Sequence, residues 1–255
     1  KHAVAFVFAM YKHAPERIKI FLLDLAEEGD TDAMILLAEL YYDSDEESAV
    51  KWLHKAFQKG DFRSGYYRDQ TFMMAIEELT VKQFFASLYA DTDVSREPAS
   101  AGRQMNGHFA TRSLDENGNW KNLKAQYNSS ADISPTAGQM PRLVGLAEAS
   151  KHFRANKDLH SWTQFSDKGN EVAWGTIGNA STSEGPFFES INAAGVLQVP
   201  MVISVWDDEY GISVHAEHQT TKQNISEVLK GFQRDENGKG FEILHAKGWD
   251  YPGLV

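Results

Sequence analysis

The 255-residue sequence has no cysteine, which excludes disulfide bonds, thiol catalysis and zinc sites built on cysteine. It also has no basic cluster, because 25 lysines and arginines stand against 36 aspartates and glutamates, for a net charge of −11. Such a chain has no surface that would neutralise a row of phosphates. A nucleic acid is therefore not expected as its partner.

Long apolar runs are also missing. The opening run, residues 3–10, has eight apolar residues, whereas a membrane-spanning helix needs about 20. No small-residue cleavage site follows it, so the sequence predicts no signal peptide and no membrane association. We expect a core helix in this opening and a cytoplasmic protein. Because the sequence starts without Met and has no tail-like ends, we expect it to be part of a longer polypeptide.

The apolar content of 42% is enough for a full core, and it follows helical spacing from residue 17 to about 57. The segment EEGD at 27–30 recurs as QKGD at 58–61, each after an amphipathic pattern, which resembles a tetratricopeptide-type repeat. A helical cap on the next domain is the alternative. The sequence thus predicts a helical segment at 1–56 and a second domain at 57–255.

The second domain has an α/β pattern. Ser, Asn, Asp and Gly are frequent from 91 to 135, which predicts irregular structure. Strands that alternate with helices predict a parallel sheet with helices on both faces, and ligands bind such sheets at the carboxyl ends of strands. The predicted helices are 80–91, 139–153, 183–195 and 224–235, and the predicted strands are 171–178, 199–206 and 240–248.

Two polar turns follow neighbouring predicted strands. GNAS at 178–181 and DDEYGIS at 207–213 place Asn179 beside Asp208 if the strands are adjacent. An amide oxygen, a carboxylate and the backbone carbonyl of Tyr210 are hard oxygen donors of the kind that Mg²⁺ takes together with phosphate. The pair of turns therefore predicts a magnesium–phosphate site.

Small residues surround the first turn. Gly178 and Ala180 would let a phosphate approach the backbone, and a helix that begins at Ser183 would direct N–H groups towards it. Taken alone, either stretch is also consistent with an ordinary strand-to-helix turn. The prediction depends on the two turns together.

The span from 178 to 213 resembles the thiamine-diphosphate motif of the α-type decarboxylating component of 2-oxo acid dehydrogenase complexes. Three further stretches resemble that family: GYYRDQ at 65–70, GRQMNGHFA at 102–110 and SPTAGQMPRLVG at 134–145. They follow the family's order from about Phe57 to Val255, and the branched-chain 2-oxo acid dehydrogenases are most similar. The resemblance implies a thiamine-diphosphate-binding fold with thiamine diphosphate and Mg²⁺ as cofactors.

The resemblance also implies residue roles. Tyr67 and Arg68 would reach the diphosphate, Ser134 and Thr136 would line the aminopyrimidine, and His108 would lie over the thiazolium and exchange protons with the substrate. The residues alone also allow plainer roles: a surface ion pair with Asp69 for Arg68, a helix cap for Ser134 or Thr136, and a surface position for His108.

The chain departs from the family in two ways. Asn179 stands where the family has Asp, and Asp208 stands where it has Asn, so this exchanged pair keeps one carboxylate and one amide. In residues 1–56 we recognise nothing that is expected at the start of this family. The resemblance further implies an active-site histidine in a downstream loop and a glutamate from a β-type half, both beyond residue 255. We therefore expect these residues alone to be inactive.

The function that the resemblance implies is oxidative decarboxylation of a 2-oxo acid, with acyl transfer to a lipoyl carrier. Its partners would be a β-type half, separate or fused downstream, and a lipoyl-bearing acyltransferase, within an oligomer. One alternative is a related thiamine enzyme that acts on pyruvate or acetoin. A second is a helical interaction module joined to a thiamine-type domain that performs no chemistry.

Overall fold

The structure, a computed structural model, describes residues 2–4, 59–76, 78–104 and 107–245 and starts with the strand β1 (His2–Val4). The chain forms two compact units. The sheet unit comprises Lys59–Ile177 and Ser181–Ile203. The terminal unit comprises Lys1–Gln58, Gly178–Ala180 and Ser204–Val255.

Parallel strands form the sheet unit's framework. β2 (Phe62–Tyr66) lies between β3 (Asn128–Ile133) and β4 (Ala173–Gly178) and runs parallel to both. Next to β4 in the strand order lies β5 (Met201–Asp207), which completes four parallel strands. The predicted α/β class with a parallel sheet is therefore confirmed.

The register and the burial of these strands explain the sequence pattern. Phe62 pairs with Asn128 on one side and with Ala173 on the other. Along β4, Ala173, Gly175 and Ile177 are buried and alternate with half-buried residues. Alternating side chains point to opposite faces of a sheet, so one face of β4 contributes to the core.

Helices pack on the sheet. The hydroxyl of Thr80 accepts a hydrogen bond from the Gln83 backbone N–H, and the Gln83 side chain closes a capping box that starts the second helix. The third helix contacts β2 and the fourth helix, and it buries Met140, Leu143 and Ala147. The helices are α1 (Gln70–Ala75), α2 (Val81–Leu88), α3 (Gln139–Ala155) and α4 (Gly185–Leu197), with 3₁₀ helices at Leu123–Ala125, Lys157–Ser161 and Ala180–Ser183.

The described part of the terminal unit is built around the end of β5. β1 pairs antiparallel with it, and Val4 lies opposite Val205. A short hairpin follows, in which Tyr210 pairs with His215. Asn224 caps the next helix because its side chain accepts hydrogen bonds from backbone N–H groups of the first turn. The remaining elements are β6 (Tyr210–Gly211), β7 (Val214–His215), α5 (Ile225–Leu229) and 3₁₀ helices at Ala216–His218, Thr221–Gln223 and Lys230–Phe232.

Two predictions at the amino-terminal side need correction. His2–Val4 form a strand, so the predicted opening helix is wrong at these residues, and the rest of the predicted helical segment up to residue 56 lies outside the described residues. The predicted irregular stretch at 91–135 contains β3, and β2 was not predicted at all. Both strands bury polar side chains, so they lack the apolar alternation that identifies a strand in sequence.

The last predicted elements are also shorter than expected. The helix predicted at 224–235 continues only to Leu229 and then becomes a 3₁₀ turn. In the described part of the strand predicted at 240–248, Phe241 forms only an isolated bridge with Gln233, and the structure has no strand there. The backbone of Phe241 bonds to Phe232 and Arg234, which closes a local loop in place of a sheet ladder.

Within the described ranges, no helix combines the length and the apolar character that crossing a membrane requires.

Candidate functional site

A tight turn follows β2 and carries two of the predicted site residues. The backbone N–H of Asp69 donates to the carbonyl of Tyr66 at 2.9 Å, which leaves Tyr67 and Arg68 at the centre of the turn. The Nε of Arg68 donates to the Tyr67 hydroxyl at 3.0 Å. The guanidinium also lies 5.4 Å from the centre of the Tyr67 ring and 5.9 Å from that of Tyr66. These contacts hold the exposed Arg68 cation over two aromatic rings.

The pKa values of Tyr66 and Tyr67 are shifted in opposite directions. Burial and the hydrogen bond to Tyr67 raise the pKa of Tyr66 to about 12. The hydrogen bonds from Tyr66 and from Arg68 lower the pKa of Tyr67. Tyr67 therefore accepts two hydrogen bonds at its oxygen, and its phenol is more acidic than usual.

His108 and Ser134 lie beside this turn. The Nε2 of His108 is 2.7 Å from the Ser134 hydroxyl, and the imidazole stacks against the Tyr67 ring at 6.2 Å between centres. Four predicted site residues, Tyr67, Arg68, His108 and Ser134, thus come together where β2 and β3 end, and we call them the edge group. The structure places a cation, two hydroxyls and an imidazole within one cluster.

Thr136 is exposed two residues beyond the edge group. The alternative that Ser134 or Thr136 caps α3 is wrong, because the N-cap of α3 is Gly138 and no side chain caps this helix. The intervening Ala137 is buried and has a φ of 60°, in the left-handed region that L-residues seldom adopt. The backbone before α3 is therefore held in an unusual path directly after Ser134.

Behind the turn lies a buried ion cluster that the sequence reading missed. The guanidinium of Arg63 donates at 2.7 Å to Asp69, to Asp132 and to the hydroxyl of Ser129. All of these side chains are nearly inaccessible to water. The Asp69 carboxylate also accepts a hydrogen bond from the Thr176 hydroxyl on β4. The arginine and aspartate of the motif RSGYYRD were visible in the sequence, but nothing in the pattern indicated that both are buried.

This cluster holds more negative than positive charge around Arg63. Burial raises the pKa of Asp132 to about 6, although Arg63 acts against this shift. Arg142 lies nearby and donates to the Ser64 hydroxyl and to the Ala131 carbonyl, and its own burial lowers its pKa. One guanidinium thus serves two carboxylates, and burial makes Asp132 easier to protonate than an ordinary aspartate.

In the terminal unit, the two predicted metal-binding turns lie side by side. Asn179 is buried, and its backbone N–H donates to the Trp206 carbonyl at 3.0 Å. The residue directly after β4 therefore lies beside the end of β5. A Cβ added to Gly211 would lie 2.6 Å from the Cβ of Ala180. The turn at Gly178 and Asn179 therefore packs against the hairpin that follows Asp208.

The acidic pair at the end of β5, Asp207 and Asp208, has two different environments. Asp207 is buried and accepts the backbone N–H of Glu209 at 2.9 Å, whereas Asp208 is exposed and accepts that of Tyr210 at 3.1 Å. Glu209 has a φ of 67°, which turns the chain sharply between the two carboxylates and the hairpin. The sequence reading considered Asp208 and passed over the neighbouring Asp207.

The donor set of this turn is suited to Mg²⁺. Asn179, Asp208 and the backbone carbonyl of Tyr210 supply an amide, a carboxylate and a carbonyl oxygen, which are hard ligands. Within the described residues, no three His, Cys, Asp or Glu side chains form a metal-binding group. Any metal at this turn would therefore use the amide and the carbonyl as well as carboxylate, and phosphate oxygens could complete the shell.

The predicted helix start at Ser183 needs correction. A 3₁₀ turn covers Ala180–Ser183, and α4 begins at Gly185 after the N-cap residue Glu184. Pro186 lies in the first helical turn, where its missing N–H costs little. The N–H groups at Ser183 therefore belong to the 3₁₀ turn and not to the start of the α-helix.

Comparison with known proteins gives one family. The model of the family described as "Dehydrogenase E1 component" matches residues 35–234. The chain is 30% identical over 172 residues to the 2-oxoisovalerate dehydrogenase subunit alpha of Bacillus subtilis (strain 168), which covers 68% of this chain and 43% of that protein. It is 28% identical over 130 residues to the 2-oxoisovalerate dehydrogenase subunit alpha 1, mitochondrial, of Arabidopsis thaliana, which covers 51% of this chain and 21% of that protein.

The matched region therefore spans less than half the length of either relative. The family match includes every predicted site residue, from Tyr67 to Tyr210. It starts at residue 35, so the prediction that residues 1–56 match nothing in the family is wrong for residues 35–56.

Proposed function

The chain belongs to the dehydrogenase E1 component family, and on this premise we propose that it binds thiamine diphosphate and Mg²⁺ as the α-type part of a 2-oxo acid dehydrogenase. The proposed reaction is oxidative decarboxylation of a 2-oxo acid, with transfer of the acyl group to a lipoyl carrier. The observation that carries the proposal is the edge group, which gathers Tyr67, Arg68, His108 and Ser134 at strand ends, as a cofactor site in a parallel sheet requires.

Arg68 and Tyr67 are proposed to hold the diphosphate. The chain carries a net charge of −11, so an anionic cofactor needs a local cation, and Arg68 is an exposed guanidinium fixed over two rings. A guanidinium can donate two parallel hydrogen bonds to phosphate oxygens. The Tyr67 hydroxyl, already bonded to Arg68, orients that fork.

His108 is proposed to move a proton at the reacting centre. Its Nε2 lies within hydrogen-bond distance of Ser134, which fixes the ring orientation and gives that nitrogen a partner in either tautomer. Ser134 and Thr136 would line the aminopyrimidine. When bound, thiamine diphosphate supplies the stabilisation of negative charge that decarboxylation needs, while the protein binds, orients and shields it.

The metal is proposed to bind at the exchanged pair. Asn179, Asp208 and the carbonyl of Tyr210 would hold Mg²⁺, and the small residues Gly178 and Ala180 would leave room for the diphosphate. The packing of Gly211 on Ala180 supports this proposal, because it brings the two turns together. The Asp208 carboxylate would neutralise part of the metal charge, which the neutral amide of Asn179 cannot do.

A branched-chain 2-oxo acid is the proposed substrate, because the two relatives reported above are both named as 2-oxoisovalerate dehydrogenase subunits. Pyruvate and acetoin are the alternatives, which substrate assays of the complete enzyme distinguish. The proposed partners are a β-type half, separate or fused, and a lipoyl-bearing acyltransferase, within an oligomer. The cytoplasmic location stays a prediction.

Calorimetric titration with thiamine diphosphate and Mg²⁺ tests the proposal. We expect binding that requires the metal, since diphosphate oxygens cannot lie beside Asp208 without a cation between them. EDTA should abolish it. Arg68→Ala should weaken it at least about tenfold, the effect of losing a charge-assisted contact with phosphate.

Arg96→Ala is the matched control, because Arg96 is an exposed arginine of the same unit that pairs with Asp91 and Asp93. It should leave the affinity unchanged. No binding at millimolar cofactor would favour the interaction module instead, and binding that is equally tight in EDTA would contradict the metal site.

A further inference from the structure

Asp69 occupies the position where the turn after β2 meets the buried ion cluster. The backbone N–H of Asp69 donates to the Tyr66 carbonyl, and its carboxylate accepts the Tyr66 backbone N–H at 3.1 Å. The two bonds close a ring around Tyr67 and Arg68. The conformation of these two residues therefore depends on where the Asp69 carboxylate is held.

Side chains of two strands, β2 and β4, bind that carboxylate. The same oxygen, Oδ2, accepts from Arg63 on β2 at 2.7 Å and from the Thr176 hydroxyl on β4. Asp69 is also the N-cap residue of α1, yet its side chain makes no capping hydrogen bond with that helix. An N-cap aspartate ordinarily turns its carboxylate to the helix N–H groups. Here the carboxylate is turned back towards β2 and β4.

Asp132 offers a natural comparison within the cluster. It binds the other nitrogen of the same guanidinium at the same distance of 2.7 Å, and it is equally buried. The Asp132 side chain contacts Arg63 and the Phe109 backbone, whereas the Asp69 side chain contacts Arg63, Thr176 and the turn. The two aspartates are therefore matched in charge, burial and ion-pair partner, and only Asp69 bonds to the Tyr66 backbone.

We propose that Asp69 is a positioning residue for the diphosphate, because its carboxylate ties the Tyr66–Asp69 turn to Arg63 and Thr176 and so fixes the direction in which Tyr67 and Arg68 are presented. The inference rests on the proposed function. It adds a residue that touches no cofactor and acts through the two that do.

The test is calorimetric titration of Mg²⁺–thiamine diphosphate into four variants: Asp69→Ala, Asp69→Asn, Asp132→Ala and Asp132→Asn. We expect Asp69→Ala to weaken binding about tenfold or more, the order of one charge-assisted hydrogen bond to phosphate. Asp69→Asn keeps an oxygen that can accept from Tyr66, so it should recover most of that loss. Both Asp132 variants should bind within about twofold of the unsubstituted chain.

A readout without cofactor accompanies the titration. The Tyr67 phenol can be followed by NMR of ¹³C-labelled tyrosine, with its signal assigned by its loss in Tyr67→Phe. Hydrogen bonds from Tyr66 and Arg68 lower the pKa of Tyr67 in the intact turn. We expect this pKa to return towards its ordinary value in Asp69→Ala and to stay lowered in Asp132→Ala.

Equal loss of affinity in the Asp69 and Asp132 variants would overturn the inference, because it would mean that any damage to the cluster has the same effect. Unchanged affinity in Asp69→Ala would also overturn it. If the unsubstituted chain binds no thiamine diphosphate, the proposed function fails, and the Tyr67 titration decides whether Asp69 holds the turn. If Asp69→Ala fails to fold, Asp69→Asn against Asp132→Asn gives the same comparison.

Discussion

Burial of Asp132 disfavours the ionised form of its carboxyl group. Its pKa is raised to about 6 by burial, against an ordinary value near ~3.9. A raised pKa means that the folded state favours the protonated form. The stabilisation from protonation is therefore complete below about pH 4 and is lost as the pH rises through about 6.

This shift predicts a pH-dependent effect of Asp132→Asn, whose neutral amide cannot titrate. Between pH 5 and pH 8 the unsubstituted chain should lose about 1.4 kcal/mol of unfolding free energy relative to Asp132→Asn, as a folded pKa of about 6 requires. Urea unfolding at several pH values measures this difference. Asp115→Asn, at an exposed turn, serves as control. A constant difference between the unsubstituted chain and Asp132→Asn would show that Asp132 stays ionised throughout.

At the scale of elements, those that bury apolar residues could be predicted from the sequence, whereas the strands that bury polar residues could not. α3 and β4 bury apolar residues at regular spacing, and both were predicted close to their observed bounds. β2 and β3 carry Arg63, Ser129 and Asp132 on buried faces, so β2 was not predicted and the sequence of β3 was interpreted as irregular. An ion cluster between strands leaves no periodic apolar signal, because the residues that pair are far apart in the chain.

The candidate site shows the same division. The motifs identified Arg68, His108 and Ser134, and the structure brings them together with Tyr67. The sequence did not indicate Arg63, and it offered Asp69 only as a surface partner of Arg68, whereas Asp69 is buried and pairs with Arg63. Residues that face a ligand are recognisable by type and spacing, whereas those that support them from behind are recognisable only in three dimensions.

Substitution of Gly65 tests whether β2 depends on the packing of the Arg63 guanidinium against it. A Cβ at Gly65 would lie 1.9 Å from Nη2 and 2.0 Å from Cζ of Arg63, whose guanidinium is held by Asp69 and Asp132. Gly65→Ala should therefore lower the free energy of unfolding by about 2 to 4 kcal/mol, through overpacking and disruption of a buried ion pair. Thermal or urea unfolding measures the change.

Gly145→Ala is the matched control, because Gly145 is exposed in α3 and an added Cβ would meet no atom within 4 Å apart from its chain neighbours and its own helix backbone. It should stabilise the protein by up to about 1 kcal/mol, since alanine favours a helix. A loss at Gly65 no larger than the change at Gly145 would contradict the packing of Arg63 under β2.

At the scale of the whole molecule, we expect the proposed activity to need a β-type half in addition to residues 1–255. The matched region spans 43% of the Bacillus subtilis relative, and the family resemblance assigns the activating glutamate to a β-type half. We expect residues 1–255 to bind the cofactor without consuming a branched-chain 2-oxo acid. An assay of 2-oxo acid consumption checks this. Turnover in the usual enzyme range of about 1 to 10³ per second would mean that the catalytic groups are assigned wrongly.

The central claim is that the chain binds thiamine diphosphate through a metal held by the exchanged pair. The most direct test is a double-mutant cycle on cofactor affinity, by calorimetry in the presence of Mg²⁺. Asp208→Asn leaves two neutral amides at the metal and should cost about 1 to 3 kcal/mol, or roughly ten- to a hundredfold in affinity. Adding Asn179→Asp restores one carboxylate, so the double mutant should recover most of the loss. If Asp208→Asn binds as tightly as the unsubstituted chain, or the double mutant binds no better than the single one, then Asn179 and Asp208 do not share a metal.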